Sequence, residues 1–247
     1  MGWESRDFFA RIYAGVMRSH TVRAAYAARA AEYTGLFGSI NSTHPSDRAL
    51  VREWAGELDG KVIDAGCGPG QWTNFLHSLG TDVEGVDLVP EFIATARETY
   101  PDVPFSVGSL EQLTAPDGSL AGILAWYSVI HTPPEDLGVV FTEFARCLKP
   151  GGRLLLGFFE ADAVEEFPHA VTPAYFWPVE EMSARLERAG FAVVSAHSRT
   201  DPGVRPHAAV VAVRRQDFPR DKNRPETQCL RPAEGWALWG SNPRPTD

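Results

Sequence analysis

Apolar residues follow two alternating patterns along most of this chain, one typical of strands and one typical of helices. From residue 61 onward, short apolar runs typical of buried strands alternate with segments of helical period. The runs predict strands at 61–65, 82–86, 103–107, 120–127, 153–159, 191–197 and 207–213, and the helical segments predict helices at 70–79, 90–99, 135–148 and 178–189. This alternation indicates an α/β fold with a Rossmann-like, seven-stranded, mostly parallel sheet and helices on both faces. A short loop joins the last two strands, so the last strand is predicted to be antiparallel.

Other patterns precede and follow the alternation. Aromatic and aliphatic side chains stand at helical spacing in residues 5–33, and a second helix is predicted to begin at Pro45. We therefore expect a helical lead-in and cap at 1–60 and one core domain of catalytic size at 61–214. Prolines and scattered charges fill 215–247, which is typical of a disordered tail. This tail is either an ordinary linker or read-through into a neighbouring tRNA gene, whose usual T-arm sequence translates to residues 240–243.

Charge and cysteine content indicate where the protein is located and which partners it can bind. The 23 Lys and Arg residues against 32 Asp and Glu give a net charge of −9, so no basic field is available to attract nucleic acid. The three cysteines, Cys67, Cys147 and Cys229, lie far apart and suggest no disulfide framework. The longest apolar run, 120–130, is too short to span a bilayer, and the N-terminus lacks an apolar signal core. We expect a cytoplasmic protein without a nucleic-acid or membrane partner.

The first predicted strand runs into a glycine-rich turn that carries an acid. Residues 62–73 read VIDAGCGPGQWT, with Asp64 preceding Gly66, Gly68 and Gly70. Glycines at alternate positions let a backbone lie against a ligand, and the helix that follows points free N–H groups toward it. The turn lacks the Gly-Lys-Ser/Thr ending of a P-loop, and Gln71 stands where a dinucleotide-binding turn has its third glycine.

The remaining pattern, Asp-x-Gly-x-Gly-x-Gly, resembles the first motif of the class I S-adenosylmethionine-dependent methyltransferases. Asp87 ends the second predicted strand, where an acid can accept both hydroxyls of a ribose, although it can also cap the helix after Pro90. The Leu-Lys-Pro-Gly-Gly step at 148–152 and the closing hairpin follow in the order of that family. The resemblance covers about residues 24–214. Within that family, the chain looks most similar to the small-molecule group that includes quinone-biosynthesis methyltransferases.

This resemblance implies a site for S-adenosylmethionine, without a metal, at the carboxyl ends of the strands. The implied cofactor-binding residues are Asp64, Gly66, Gly68, Gly70, Asp87, Leu88, Ser109, Leu110 and Trp126. Ser109 stands where the family commonly has Asp, so its contact with adenine is expected to be weaker. Trp126 either lines the sulfonium pocket or packs in the core.

Candidate acceptor residues follow from the same strand ends. His131 lies just beyond the fourth strand and is a candidate base, because an imidazole can take a proton at neutral pH; the alternative is a surface histidine that caps the next helix. Contacts with the acceptor are expected from Tyr26, Tyr127, Glu160 and Tyr175. The aromatic-rich segment 158–177 forms either a substrate lid or packing beneath the last helix.

Together these features predict an enzyme that moves a methyl group from S-adenosylmethionine to an O, N or C atom of a small molecule by in-line displacement. A nicotinamide-dependent oxidoreductase is an alternative, because an acid after the second strand suits that cofactor equally well. A non-catalytic S-adenosylmethionine-binding partner protein is another, because the best-supported residues concern binding.

Overall fold

The computed structural model describes residues 20–216, and the predicted lead-in before residue 20 and tail after residue 216 lie outside this range. In the described range, helices α1 to α7 span 20–27, Ala30–Phe37, Pro45–Gly56, Gln71–Ser78, Pro90–Thr99, Leu137–Cys147 and Val179–Arg188. Strands β1 to β9 span Val62–Ala65, Val83–Asp87, Phe105–Val107, Leu120–Trp126, Leu148–Glu160, Glu165–Phe167, Ala174–Trp177, Phe191–Arg199 and His207–Arg214. None of the helices in the described range is long and apolar enough to cross a bilayer.

One sheet organises these elements. Its parallel part has the strand order β3-β2-β1-β4-β5. The strand β9 then pairs antiparallel with β5, and β8 pairs antiparallel with β9. The Rossmann-like sheet with an antiparallel last strand, predicted from the sequence, is thereby confirmed. In such sheets the carboxyl ends of the parallel strands meet at one edge, where ligands bind.

Alternate residues of the central strands are buried in two separate apolar clusters, which shows that both faces of the sheet are covered. Ile63 belongs to the cluster that α6 and α7 complete, whereas its neighbour Val62 belongs to the cluster completed by α3 and α4. The same alternation separates Ile123 from Leu124 on β4. Buried parallel strands of this kind read as continuous apolar runs, which explains why the sequence pattern located them.

Two sequence predictions need correction. No strand is predicted between 159 and 191, but this segment contains the short strands β6 and β7, and β7 extends the sheet beside the end of β5. The strand predicted at 153–159 begins earlier, because β5 starts at Leu148. Leu148 pairs with Leu120, and the register shifts before Gly122 pairs with Arg153, so the intervening residues form an irregularity within the strand.

The two ends of α4 each carry a glycine with positive φ, and only one of these glycines lies against other side chains. Gly70 (φ 89°) precedes α4 and Gly80 (φ 85°) follows it. A Cβ on Gly70 would lie 2.8 Å from the Phe105 ring, whereas a Cβ on Gly80 would meet nothing within 4 Å.

We expect Gly70→Ala to lower the free energy of unfolding by about 2–4 kcal/mol, because it adds overpacking to the cost of a left-handed residue. Gly80→Ala, the matched control, should cost about 1–2 kcal/mol through backbone strain alone. Urea unfolding of both variants measures the difference. Equal losses would show that the Phe105 ring moves aside at no cost.

Candidate functional site

The glycine turn joins the carboxyl ends of three strands. Directly after β1, the backbone N–H of Gly66 donates to the Val86 carbonyl of β2 at 2.7 Å. Gly66 has φ 81°, and a Cβ there would lie 2.3 Å from Cβ of Ser128, just beyond β4. A side chain is therefore excluded by its neighbour as well as by the backbone conformation.

Asp87 is held by the same turn. Its Oδ2 accepts the Gly68 N–H at 2.8 Å, and its Oδ1 accepts the Val89 N–H at 2.8 Å. Burial raises the pKa of Asp87, and these backbone hydrogen bonds oppose that rise. The carboxylate thus fixes the glycine turn against the start of α5. A carboxylate has about four acceptor positions, so Asp87 can still accept a ligand hydroxyl beside these backbone N–H groups.

A cavity of about 160 Å³ lies at these strand ends. Most of the predicted site residues line it: Gly66, Gly68, Asp87, Leu88, Ser109, Leu110, Trp126, Tyr26, Tyr127 and His131. The structure therefore brings the glycine turn, the acid of β2, the loop after β3 and the end of β4 into one site.

The aromatic residues at the end of β4 both pack and line the cavity. The Trp126 ring lies 5.5 Å from the Trp72 ring and 5.7 Å from the Tyr127 ring. Tyr127 has φ 59°, a left-handed conformation that is costly for a bulky residue. Its hydroxyl bonds Nδ1 of His207 on β9, which anchors the ring. The Trp126 ring therefore both lines the cavity and packs against the core, which were the two alternatives for this residue.

His131 is hydrogen-bonded through both ring nitrogens. Nδ1 lies 2.8 Å from the Pro173 carbonyl oxygen, and Nε2 lies 2.8 Å from the Tyr26 hydroxyl. The pKa of His131 is lowered to about 4, mainly by burial and to a smaller extent by the neighbouring His169, while the hydrogen bond to the Pro173 carbonyl opposes this shift. The imidazole is therefore neutral at pH 7. Burial also raises the pKa of Tyr26 well above its ordinary value, so that its hydroxyl keeps its proton.

Two of the predicted cofactor residues lie outside the cavity. Asp64 is 1% exposed, and its Oδ2 accepts the Thr73 hydroxyl at 2.6 Å, beneath the glycine turn. Gly70 faces Phe105 and Ala96. Asp64 thus ties the turn to α4, and Gly70 makes room for packing, so neither lines the cavity. The sequence motif places these residues beside a ligand site but does not reveal which way they face.

The predicted acceptor residues of the aromatic segment also lie outside the cavity. Glu160 accepts the Ser198 hydroxyl, and the Tyr175 hydroxyl donates to Glu166. Phe167 and Phe176 stack at 4.1 Å between ring centroids and pack with Ile130. The segment therefore packs against the end of the sheet. It contacts residues of the cavity through Pro173 and His169, which contact His131, and through Phe159, whose ring lies 5.0 Å from that of Tyr127.

Several cavity residues were not predicted as site residues. They include Val22, Phe92, Ser128, Thr132, Pro133 and Asp136. Tyr33, on α2, also lines the cavity, and its ring lies 5.6 Å from that of Tyr26 on α1. Ser128 carried no signal of its own, because its position follows only from the close approach of Gly66.

Comparison with known sequences identifies the central part of the chain. Residues 62–152 match the family described as "Methyltransferase domain". Malonyl-[acyl-carrier protein] O-methyltransferase of Erwinia billingiae is 32% identical over 113 residues, which are 46% of this chain and 44% of that protein. Demethylmenaquinone methyltransferase of Chlorobaculum parvum is 37% identical over 98 residues, 39% of this chain and 40% of that protein. The chain thus spans less than half the length of these curated relatives.

Comparison with solved structures extends the likeness to most of the fold. The crystal structure of Burkholderia thailandensis 1,6-didemethyltoxoflavin-N1-methyltransferase, with bound 1,6-didemethyltoxoflavin and S-adenosylhomocysteine, has a TM-score of 0.65 and 23% identity. The match covers 83% of this chain and 90% of that chain. The resemblance drawn from the sequence is supported: residues 62–152 match a methyltransferase domain, and the chain shares the fold of this crystal structure.

The buried position of Asp64 gives a pH-dependent prediction. Burial raises the pKa of Asp64 from 3.8 to about 7, so the folded protein holds a proton that the unfolded chain releases between these values. The stabilising contribution of this proton is present below about pH 4 and is lost as the pH rises through 7.

We expect Asp64→Asn, which stays neutral, to gain about 2–4 kcal/mol of stability relative to the wild type between about pH 4 and 8. Urea unfolding across this range measures the gain. Asp82→Asn, the same change at an exposed carboxylate before β2, is the control and should show no comparable trend. A wild-type-to-Asp64→Asn difference that is independent of pH would contradict the assignment.

Proposed function

We propose that this chain, whose residues 62–152 are a methyltransferase domain, transfers a methyl group from S-adenosylmethionine to an O, N or C atom of a small-molecule acceptor. The observation that carries the proposal is the joining of the glycine turn to Asp87 in the wall of one cavity. The match with the methyltransferase family favours this activity over the nicotinamide-dependent alternative.

The residues of the cavity fit S-adenosylmethionine. Gly66 and Gly68 present backbone without side chains, and Asp87 offers acceptors for the ribose hydroxyls. Leu88 and Leu110 supply apolar surface for the adenine, with Ser109 at the same wall. The Ser128 hydroxyl is buried without a hydrogen-bond partner among the described residues, so a polar ligand atom there would satisfy it.

The chemistry divides between the cofactor and the protein. When bound, S-adenosylmethionine supplies an electrophilic methyl group on a positively charged sulfur. The protein has to align the acceptor in line with that group and exclude water. The aromatic faces of Trp126 and Tyr127 favour a nearby positive charge. Tyr26 and Tyr33, from the helical lead-in, cover the cavity and keep it partly dry.

The acceptor class follows from the cavity and the relatives. Aromatic and aliphatic side chains make up much of the wall, which suits a small apolar or aromatic molecule. The relatives include a demethylmenaquinone methyltransferase and a 1,6-didemethyltoxoflavin-N1-methyltransferase. We therefore propose a ring-bearing small molecule as the acceptor, and a cytoplasmic location for the protein, in keeping with its acidic charge and sparse cysteines.

Labelled methyl transfer tests the activity directly. The full chain would be incubated with S-[methyl-¹⁴C]adenosylmethionine and catechol, hydroquinone or benzylamine as probe acceptors. Label in the extracted acceptor supports the proposal. Firm binding of S-adenosylhomocysteine without transfer to these or further ring-bearing acceptors would favour the non-catalytic binding protein instead.

Asp87→Asn should weaken binding of S-adenosylhomocysteine at least 10-fold. The amide places a donor where the carboxylate accepts two backbone N–H groups, and losing one charged hydrogen bond costs about 1.5–3 kcal/mol. Isothermal titration calorimetry measures the affinity. Asp102→Asn, at an exposed carboxylate outside the cavity, is the matched control and should bind as the wild type does. Wild-type affinity in Asp87→Asn would remove Asp87 from the cofactor site.

A further inference from the structure

A line of hydrogen bonds joins three distant parts of the chain at the cavity. The Tyr26 hydroxyl, from α1, lies 2.8 Å from Nε2 of His131, 105 residues away in sequence. On the other side of the ring, Nδ1 of His131 lies 2.8 Å from the carbonyl oxygen of Pro173, just before β7. Both Tyr26 and His131 line the cavity.

The direction of these hydrogen bonds is fixed by the carbonyl group. Because a carbonyl oxygen only accepts, Nδ1 of His131 must carry a hydrogen and donate it to Pro173. In the neutral ring, Nε2 is then the acceptor, and the Tyr26 hydroxyl donates to it. The imidazole is thus oriented and held in one tautomer, ready to receive a proton at Nε2.

In this arrangement, a proton from the methyl acceptor can reach His131 only through the Tyr26 hydroxyl. Both ring nitrogens of His131 already have partners, so an acceptor hydroxyl or amine cannot bond the ring without displacing Tyr26. The Tyr26 oxygen, by contrast, donates one hydrogen and keeps acceptor capacity. We propose that Tyr26 is the residue that contacts the methyl acceptor and takes its proton, and that His131 is a positioning residue that receives the Tyr26 proton at Nε2. This inference rests on the proposed methyltransferase function.

The step balances as follows in atoms and charge. A lone pair on the acceptor oxygen or nitrogen forms the new bond to the methyl carbon, and the sulfur keeps the electrons of the broken sulfur–methyl bond. The acceptor loses its proton to the Tyr26 oxygen while the Tyr26 proton moves to Nε2 of His131. The positive charge of the sulfonium therefore ends on the imidazolium, whose Nδ1–H stays bonded to Pro173. No tyrosinate has to accumulate, which agrees with the raised pKa of Tyr26.

The surroundings keep the histidine neutral before the reaction. The ring of His169 lies 5.1 Å from that of His131, and Arg29 and Arg205 act on His169 in turn. On the tyrosine side, Tyr33 and Asp87 face Tyr26. With the pKa of His131 lowered to about 4 by burial, the wild-type rate should show no acid limb near the ordinary histidine value of about 6.5.

Nitrogen NMR tests the arrangement without needing an acceptor. In the full-length, ¹⁵N-labelled protein, His131 is identified by the signals that vanish in His131→Asn. We expect a neutral ring with hydrogen on Nδ1, and a shift of the Nε2 signal in Tyr26→Phe, because that variant lacks the donated hydrogen. Hydrogen on Nε2, or an Nε2 signal unchanged in Tyr26→Phe, would overturn the relay.

Kinetics test its use. With an acceptor found by labelled transfer, Tyr26→Phe should lower kcat about 100-fold or more while KM changes little, because acid–base assistance of this kind contributes about 10²–10⁴-fold. S-adenosylhomocysteine affinity should stay at the wild-type value, which separates loss of the relay from failure of the cofactor site.

Tyr100→Phe is the matched control. Its hydroxyl donates to the Gly38 carbonyl outside the cavity, so its removal should leave kcat unchanged. A kcat in Tyr26→Phe within about threefold of the wild type would show that the acceptor loses its proton elsewhere. If no acceptor is turned over, the NMR result decides alone.

Discussion

The site depends on one carboxylate that two backbone N–H groups hold at the end of β2. Asp87 accepts from Gly68 on one side and from Val89 on the other, so it joins the turn after β1 to the start of α5. Hydrogen bonds of this kind are strengthened by the charge they receive. The turn is also held by the hydrogen bonds of Gly66 and Cys67 to the Val86 carbonyl, and by Asp64, which ties it to α4. The Asp87 carboxylate therefore helps to fix the part of the cavity wall that Gly66 and Gly68 form.

The cavity is assembled from two parts with different tasks. The sheet edge supplies the glycine turn, Asp87 and the end of β4, which suit a nucleoside and a sulfonium. The helical lead-in supplies Tyr26 and Tyr33, which cover the other side and pack against Phe92. Burial then sets the protonation states: Tyr26 keeps its proton, and His131 is neutral. In the proposed transfer, a site that already holds these two states needs little rearrangement.

The sequence predicted the sheet well because the buried strands leave a clear apolar signal. The turn and Asp87 were also predictable, since their spacing is local to two strands and one helix. The direction in which the Asp64 side chain points could not be predicted, because the motif does not show which way the acid faces. Its partner Thr73 comes from the next helix. The short strands β6 and β7 lack the length that strand patterns need. The contact between Tyr26 and His131 joins residues 105 apart and leaves no trace in either local pattern.

A crystal structure of the full chain grown with S-adenosylhomocysteine would test the central claim most directly. We predict that the nucleoside occupies the cavity, with its ribose hydroxyls within hydrogen-bonding distance of the Asp87 carboxylate and its adenine beside Leu88 and Leu110. The sulfur should then face the aromatic rings at the end of β4. A nucleoside bound elsewhere on the protein, or a ribose without a contact to Asp87, would contradict the account.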